Sequence, residues 1–346
     1  MDFDLTEDQH TIKRTAREFL AARYRLDEVR RLALDEPRAF TDAQWNEIAG
    51  LGWPELSDPE QGLGTVELAV VAEELGYALA PSPLQSTWAA TALLAAAGRA
   101  SALEGGRRGT VAMWDPEELG DPERSTLVPG DDGTLTGAKL AVPDAGAADV
   151  LVVTASEGRH YLVEAGAAGV TIEAATSIDP TRRLFTVTLD GVSGELLSGD
   201  FGDAWHAIAI ATAAESVGIA ERAMDLSVAY AKERQQFGRP IGTYQAVSHR
   251  CAQMLLEVEG ARSLVYWAAW ALDHSPEEAS VAASAAKAYA SDCGARVTGS
   301  AIQVHGGIGF TWEHDLQFFF KRAAANAHHY GDARWHRDKV AGAILA

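Results

Sequence analysis

The chain has 346 residues, 47% of them apolar, and a formal charge of -20. It is too long for one small core, and its apolar share is that of an ordinary globular protein. The charge excludes a nucleic-acid backbone or an anionic bilayer as partner, though not a small phosphate-bearing ligand, which needs only a few local cations.

No apolar run is long enough to span a membrane. The opening MDFDLTEDQH is acidic where a secretory signal is basic, so a reduced, cytoplasmic protein is expected. Cys251 and Cys293 fit this, as small buried residues within helical patterns.

Residues 1–105 read as a helical domain. Leu5-Thr6 before Glu7 and Asp8 marks a helix start, and Thr41 caps the segment DAQWNEIAGLGW. Gly62-Leu63-Gly64 breaks the pattern. VELAVVAEELGYALAP and the alanine-rich stretch from Ser86 to Ala97 supply two further helices.

Residues 106–198 change character. Turn residues recur at short intervals, among them Pro116, Gly130, Pro143, Gly158, Gly169 and Gly191. The runs VLVVT, HYLVE, GVTIE and LFTVTL between them read as strands. Their spacing predicts a β-barrel or sandwich, without the helices of a parallel crossover sheet.

Residues 199–346 are helical again. Val217, Ala220, Met224, Val228 and Ala231 share one face. Val247, Cys251, Met254, Val258, Val265 and Leu272 share another, and Ala282, Ala286, Tyr289, Cys293 and Val297 a third. A C-terminal four-helix bundle holding most subunit contacts is expected. The whole reads as an α+β multi-domain chain.

Two segments carry candidate chemistry. ERQQFGRPIG, from Glu233 to Gly242, joins two long helices. It offers a cation in Arg234, an amide in Gln236 and an aromatic ring in Phe237, a set suited to a diphosphate and a ring. The same residues also read as an ordinary surface loop. QVHGGIGF, from Gln303 to Phe310, follows a helix. Gly306 and Gly307 let a backbone approach a phosphate or ribose closely, although most such glycines merely end helices.

Other residues read plainly. His328 and His329 lack metal-ligand spacing, and no metal is expected. His305 reads as a packed loop residue, Trp267 and Trp270 as core or interface, and Glu215 as a solvated helix acid.

Taken together, ERQQFGRPIG, the helix opening YQAVSH and QVHGGIGF closely resemble the C-terminal signature of acyl-CoA dehydrogenases. LGWPEL and VVAEELG agree in the first domain, as does TGAKLAVPDAGAADVLVV in the second. The resemblance implies α,β-dehydrogenation of an acyl-CoA substrate, FAD held between subunits, and an electron-transfer acceptor. It assigns the adenine-diphosphate half of FAD to Arg234, Gln236, Phe237, Gln303, Gly306 and Gly307.

The chain also departs from that family. The commonest position of the catalytic base falls on Tyr330, and the alternative position near Ile208-Ala209. Neither is an acid, which leaves Asp332 as the candidate base; Asp332 also reads as a turn residue after Gly331. The family's aromatic-Thr-Glu-Pro segment is replaced by the residues from Ala112 to Gly120, and its flavin-stacking Trp by Val150. Asp179-Pro180-Thr181-Arg182-Arg183 keeps the later pattern. In these respects the chain resembles the short non-catalytic subunits of actinobacterial heterotetrameric acyl-CoA dehydrogenases of steroid side-chain degradation. That implies a longer partner chain. A homo-oligomer using Asp332 and a purely structural subunit are the alternatives.

Overall fold

The computed structural model describes residues 4–117 and 120–345, so Glu118 and Leu119 of the altered segment, and residues 1–3 and 346, lie outside the described residues. The chain forms two compact units. A helical unit gathers Met1–Arg31, Val66–Ala80 and Ala209–Ala346, and a β unit gathers Leu32–Thr65 and Pro81–Ile208.

Local signals start the helices where the sequence places them. Thr6 caps α1 (Glu7–Arg23) and Thr41 caps α3 (Asp42–Ala49), each through a reciprocal box with a glutamine three residues on. Between them runs α2 (Leu26–Asp35), followed later by α4 (Thr65–Ala78) and α5 (Leu84–Ala96).

In the β unit, β1 (Gly109–Ala112), β3 (Val150–Thr154), β4 (His160–Glu164) and β7 (Glu195–Leu197) form one sheet. β2 (Thr134–Pro143), β6 (Leu184–Ser193) and β5 (Val170–Ala175) form a second. Leu151, Val153, Tyr161 and Val163 of the first sheet meet Leu135, Val142, Val187 and Leu189 of the second in one buried cluster. This is the expected sandwich, with a qualification. β1 pairs with β3 in parallel, with Gly109 opposite Val150, and the chain passes between them through β2 of the other sheet, with no α-helix among the described residues of the connection. All five residues of β3 are buried, which is why they read as an unbroken apolar run. Gly109 lets α5 lie against the strand, since a Cβ there would stand 2.5 Å from the Ala90 Cβ.

The helical unit is built on α6 (Gly202–Glu233), α7 (Gln245–His274) and α8 (Pro276–His305), joined by α9 (Leu316–His328) and α10 (Ala333–Leu345). α6 touches α7 through Glu221 and Arg262 and touches α9 through Glu215 and Arg322, giving a four-helix set to which α10 adds a fifth against α8. Helices α4 and α6 cross with their backbones in contact. A Cβ on Gly76 would stand 2.0 Å from the Glu215 carbonyl oxygen, and one on Gly218 1.8 Å from that of Glu73.

Beside this crossing lies a buried charge cluster. Glu73 accepts from Lys13 at 2.8 Å, Tyr266 at 2.7 Å and Arg262 at 3.0 Å. Burial opposes its ionisation, yet Lys13 and Arg262 bring its pKa below the ordinary value. Glu215 corrects the sequence reading. It is buried, not solvated, and accepts from Arg322 Nη1 at 2.7 Å and Asn326 Nδ2 at 2.9 Å. Cys293 is buried as expected, whereas Cys251 is partly exposed.

Candidate functional site

The two segments singled out in the sequence meet at one end of the helical unit. α6 ends at Glu233, and the chain folds into a short hairpin of β8 (Gln235–Gln236) and β9 (Arg239–Pro240) before α7 begins. The amide of Arg234 donates to the Tyr230 carbonyl at 2.8 Å, so Arg234 stands one turn beyond Tyr230. The Tyr230 ring stacks on His305 at 4.4 Å, and His305 is the last residue of α8 before Gly306. Residues 75 positions apart in the chain, Tyr230 and His305, thereby tie the Arg234 turn to the glycine turn.

Both turns are open. Arg234 is exposed and, among the described residues, no carboxylate pairs with it. The side-chain amide of Gln303 is likewise exposed and unengaged among those residues. The Gln236 side chain donates back to the Gln235 carbonyl at 2.8 Å, so it is turned toward its own strand. Phe237 holds φ at 54° and its ring is 93% exposed, an unusual combination for an aromatic residue in water. Gly306 adopts φ 64° and ψ -139°, a region that only glycine enters at low cost, and a Cβ on Gly306 or Gly307 would meet no atom within 4 Å. Ile308, Phe310 and Trp312 are exposed in and just after the same turn. Arg30 clamps the following residues by donating to the Trp312 carbonyl at 2.8 Å and to Asp315 at 2.9 Å.

These features fit the adenine-diphosphate half of a flavin dinucleotide. Among the described residues there is a guanidinium with no carboxylate partner in Arg234, an unengaged amide in Gln303, and bare backbone in a turn with space where side chains would stand. Exposed apolar rings complete the surface.

The region of the expected base is different. Tyr330 is 6% exposed with φ 58°. Its carbonyl accepts from His336 Nε2 at 3.1 Å. Asp332 caps α10, accepting the Trp335 amide at 2.8 Å. Buried Lys287 fixes the connection between α9 and α10. Its Nζ lies 3.1 Å from Ser291 Oγ and donates to the carbonyls of Asn326 and Gly331 at 3.0 Å each. Burial brings the Lys287 amine down to about 7, with Asp332 acting in the opposite direction. Ile208 and Ala209 are both buried and carry no titratable group.

In the β unit, the segment at the family's ring position is closed on itself. Val150 is fully buried and offers no aromatic face. Lys139 and Asp115 form a buried ion pair at 2.8 Å. Lys139 also donates to the Met113 carbonyl at 3.2 Å, and Thr154 Oγ1 donates to the carbonyls of Ala112 and Met113. Trp114 is buried and bridges Leu140. Nearby is a cleft of about 230 Å³ that sequence reading did not find. It is lined by Arg124, Ser125, Thr154, His160, Phe201 and Trp205. Burial, then Lys139, pushes the His160 imidazole down to about 4, so this side chain is uncharged at neutral pH. The cleft residues come from three separate stretches of chain, so no local motif announces it.

No group of metal-ligating side chains occurs among the described residues, and none of their helices is long and apolar enough to cross a membrane. Comparison with known proteins places this geometry. Residues 6–101 match the acyl-CoA dehydrogenase N-terminal domain, and residues 206–345 match the acyl-CoA dehydrogenase C-terminal domain. The acyl-CoA dehydrogenase IpdE2 of Mycolicibacterium smegmatis is 33% identical over 340 residues, covering 95% of this chain and 96% of that protein. The steroid ACAD Tcur3481-Tcur3483, in a variant form, superposes with a TM-score of 0.88 at 29% identity over 98% of each chain. The ChsE4-ChsE5 complex of Mycobacterium tuberculosis gives 0.87 at 26% identity, covering 100% of this chain and 99% of the matched one.

Proposed function

Because the chain belongs to the acyl-CoA dehydrogenase family of FAD-dependent oxidoreductases acting on CH–CH bonds, we propose that it is the nucleotide-gripping subunit of a two-chain enzyme. A longer chain of the same family supplies the flavin-ring site and the base. The contrast between the two candidate regions carries this reading. Among the described residues, Arg234, Gln303 and the glycine turn are open and unpaired, while the ring segment from Ala112 to Asp115 is consumed by internal hydrogen bonds and the base positions hold Tyr330, Ile208 and Ala209.

In this arrangement Arg234 pairs with the diphosphate through its fork of N–H donors. The Gln303 amide donates beside it, and Gly306 and Gly307 bring bare backbone to the nucleotide. When bound, the flavin would supply the hydride acceptor, to be reoxidised by an electron-transfer acceptor. Removal of the α-proton of the acyl-CoA thioester falls to a carboxylate of the partner, because Asp332 is spent on a helix cap. Phe237, Ile308, Phe310 and Trp312 are the surface on which the partner closes. Steroid-derived acyl-CoA is the substrate class proposed, supported by likeness to a steroid enzyme and to a complex of two different chains.

The test compares three preparations with an acyl-CoA and an artificial electron acceptor: the chain alone, its Asp332→Asn variant, and the chain co-purified with its partner. The complex is expected to turn over at least about 10²-fold faster than the chain alone, the usual weight of a positioned base. Robust turnover by the chain alone that vanishes in Asp332→Asn would refute the proposal in favour of a homo-oligomer.

A further inference from the structure

The glycine turn has little packing of its own. An added Cβ on Gly306 or Gly307 would meet no atom within 4 Å, and Ile308 and Phe310 are exposed. Where such a segment stands is decided by what holds its ends. Its start is held by His305, stacked on Tyr230 at 4.4 Å.

Its exit is held by one side chain from a distant part of the chain. Arg30 of α2 donates from Nη1 to the Trp312 carbonyl at 2.8 Å, from Nη2 to the Glu313 carbonyl at 3.3 Å and from Nε to Asp315 Oδ1 at 2.9 Å. Thr311 carries that restraint back into the turn. Its amide and its hydroxyl both donate to the Ile308 carbonyl, at 3.0 and 2.8 Å. The planar guanidinium fork reaches two carbonyls and a carboxylate together, which a lysine amine does not.

Asp315 shows what this clasp displaces. It is the N-cap of α9, where an aspartate ordinarily accepts amides of the first turn. Among the described residues its carboxylate accepts none of them and turns to Arg30, while the Leu316 amide donates to His314 Nδ1 at 3.2 Å. The carboxylate is thus used on the loop and not on its own helix.

We infer that Arg30 is a positioning residue for the glycine turn: without touching the cofactor, it sets where Gly306 and Gly307 present their backbone. The inference rests on reading that turn and Arg234 as the grip on FAD.

The experiment uses the native assembly, purified through a tag on this chain and stripped of flavin. FAD affinity, amide hydrogen exchange over residues 306–313 and melting temperature are measured for the wild type, Arg30→Ala, Arg30→Lys and Arg234→Ala. Arg30→Ala is expected to weaken FAD binding about fivefold to tenfold, the weight of a hydrogen bond lost when the turn drifts, and to quicken exchange over 306–313 about tenfold. Arg30→Lys keeps a cation beside Asp315 and the melting temperature, yet cannot hold both carbonyls, and is expected to lose the same affinity. It decides the matter if Arg30→Ala does not fold. Wild-type affinity in either folded variant, with Arg234→Ala weakened, would overturn the inference. So would a loss of affinity accompanied by faster exchange throughout the helices, which marks a merely structural role. Failure of the grip itself looks different: Arg234→Ala would then bind FAD as the wild type does, while exchange over 306–313 still quickens in Arg30→Ala.

Discussion

Replacing Gly218 by Ala places two known effects in opposition at one atom. In an exposed helix interior the change stabilises by about 1 kcal/mol, because alanine has less backbone entropy to lose. At Gly218 the new methyl would lie 1.8 Å from the Glu73 carbonyl oxygen and 2.7 Å from the Tyr77 amide nitrogen. Both are backbone atoms of α4, so no side-chain rotation relieves the clash. α4 cannot easily retreat, because Glu73 is held by Lys13, Arg262 and Tyr266. Overpacking of this kind costs about 3 kcal/mol, at the upper end of its usual range. The net expectation is a loss of about 2 kcal/mol, or about 3 °C in melting temperature for a chain of this size. Gly299 is the matched control. It lies within α8 with no atom within 4 Å of an added Cβ, so Gly299→Ala should gain about 1 kcal/mol. Thermal unfolding followed by circular dichroism measures both. A Gly218→Ala variant as stable as the wild type would refute the backbone contact between α4 and α6.

Further expectations follow. Arg234→Ala should weaken FAD retention by about tenfold to a hundredfold, the weight of a charge-assisted hydrogen bond, read as flavin released from the assembled enzyme on dialysis. Lys139→Met should cost about 3–5 kcal/mol by leaving buried Asp115 without its cation, and adding Asp115→Asn should recover most of the loss in chemical denaturation. Lys287 titrates near 7 in the fold and near 10.5 when unfolded, so between those values the unfolded chain binds more protons. Its contribution to stability therefore rises as pH climbs from 7 toward 10 and is flat below 7. The difference in stability between wild type and Lys287→Met, measured from pH 6 to 10, should follow that curve, and a pH-independent difference would contradict it.

What the sequence revealed was what neighbouring residues decide. The caps at Thr6 and Thr41 and the strands at 150–154 and 160–164 occur where they were expected, because a capping box or a bounded apolar run is complete within a few residues. The four-residue strand at Gly109–Ala112 has no alternation to betray it, and its parallel pairing with β3 depends on residues some forty positions away. Glu215 looked solvated because its partner Arg322 is 107 residues further on. The nucleotide end of the site was legible as two motifs. Their union through Tyr230 and His305 was not, since stacking between helix ends leaves no local trace. The His160 cleft was invisible for the same reason.

The discontinuity of the helical unit bears on how the protein is made. Lys13 and Arg17 emerge from the ribosome early, followed by the two acids they bind, Glu73 and Glu74. Arg262 and Tyr266, which complete the Glu73 cluster, arrive about 190 residues later. At ordinary synthesis rates the interval is roughly 10–40 s. Until α6 has been made, two acidic side chains destined for a dry interior sit on a helix that lacks the partner it crosses. The β unit, by contrast, is complete once Ile208 has been added, so it has the opportunity to fold first. Nascent chains stalled between residues 208 and 262 are therefore the species on which holdase chaperones should act most strongly, and the α4 segment is where they should bind.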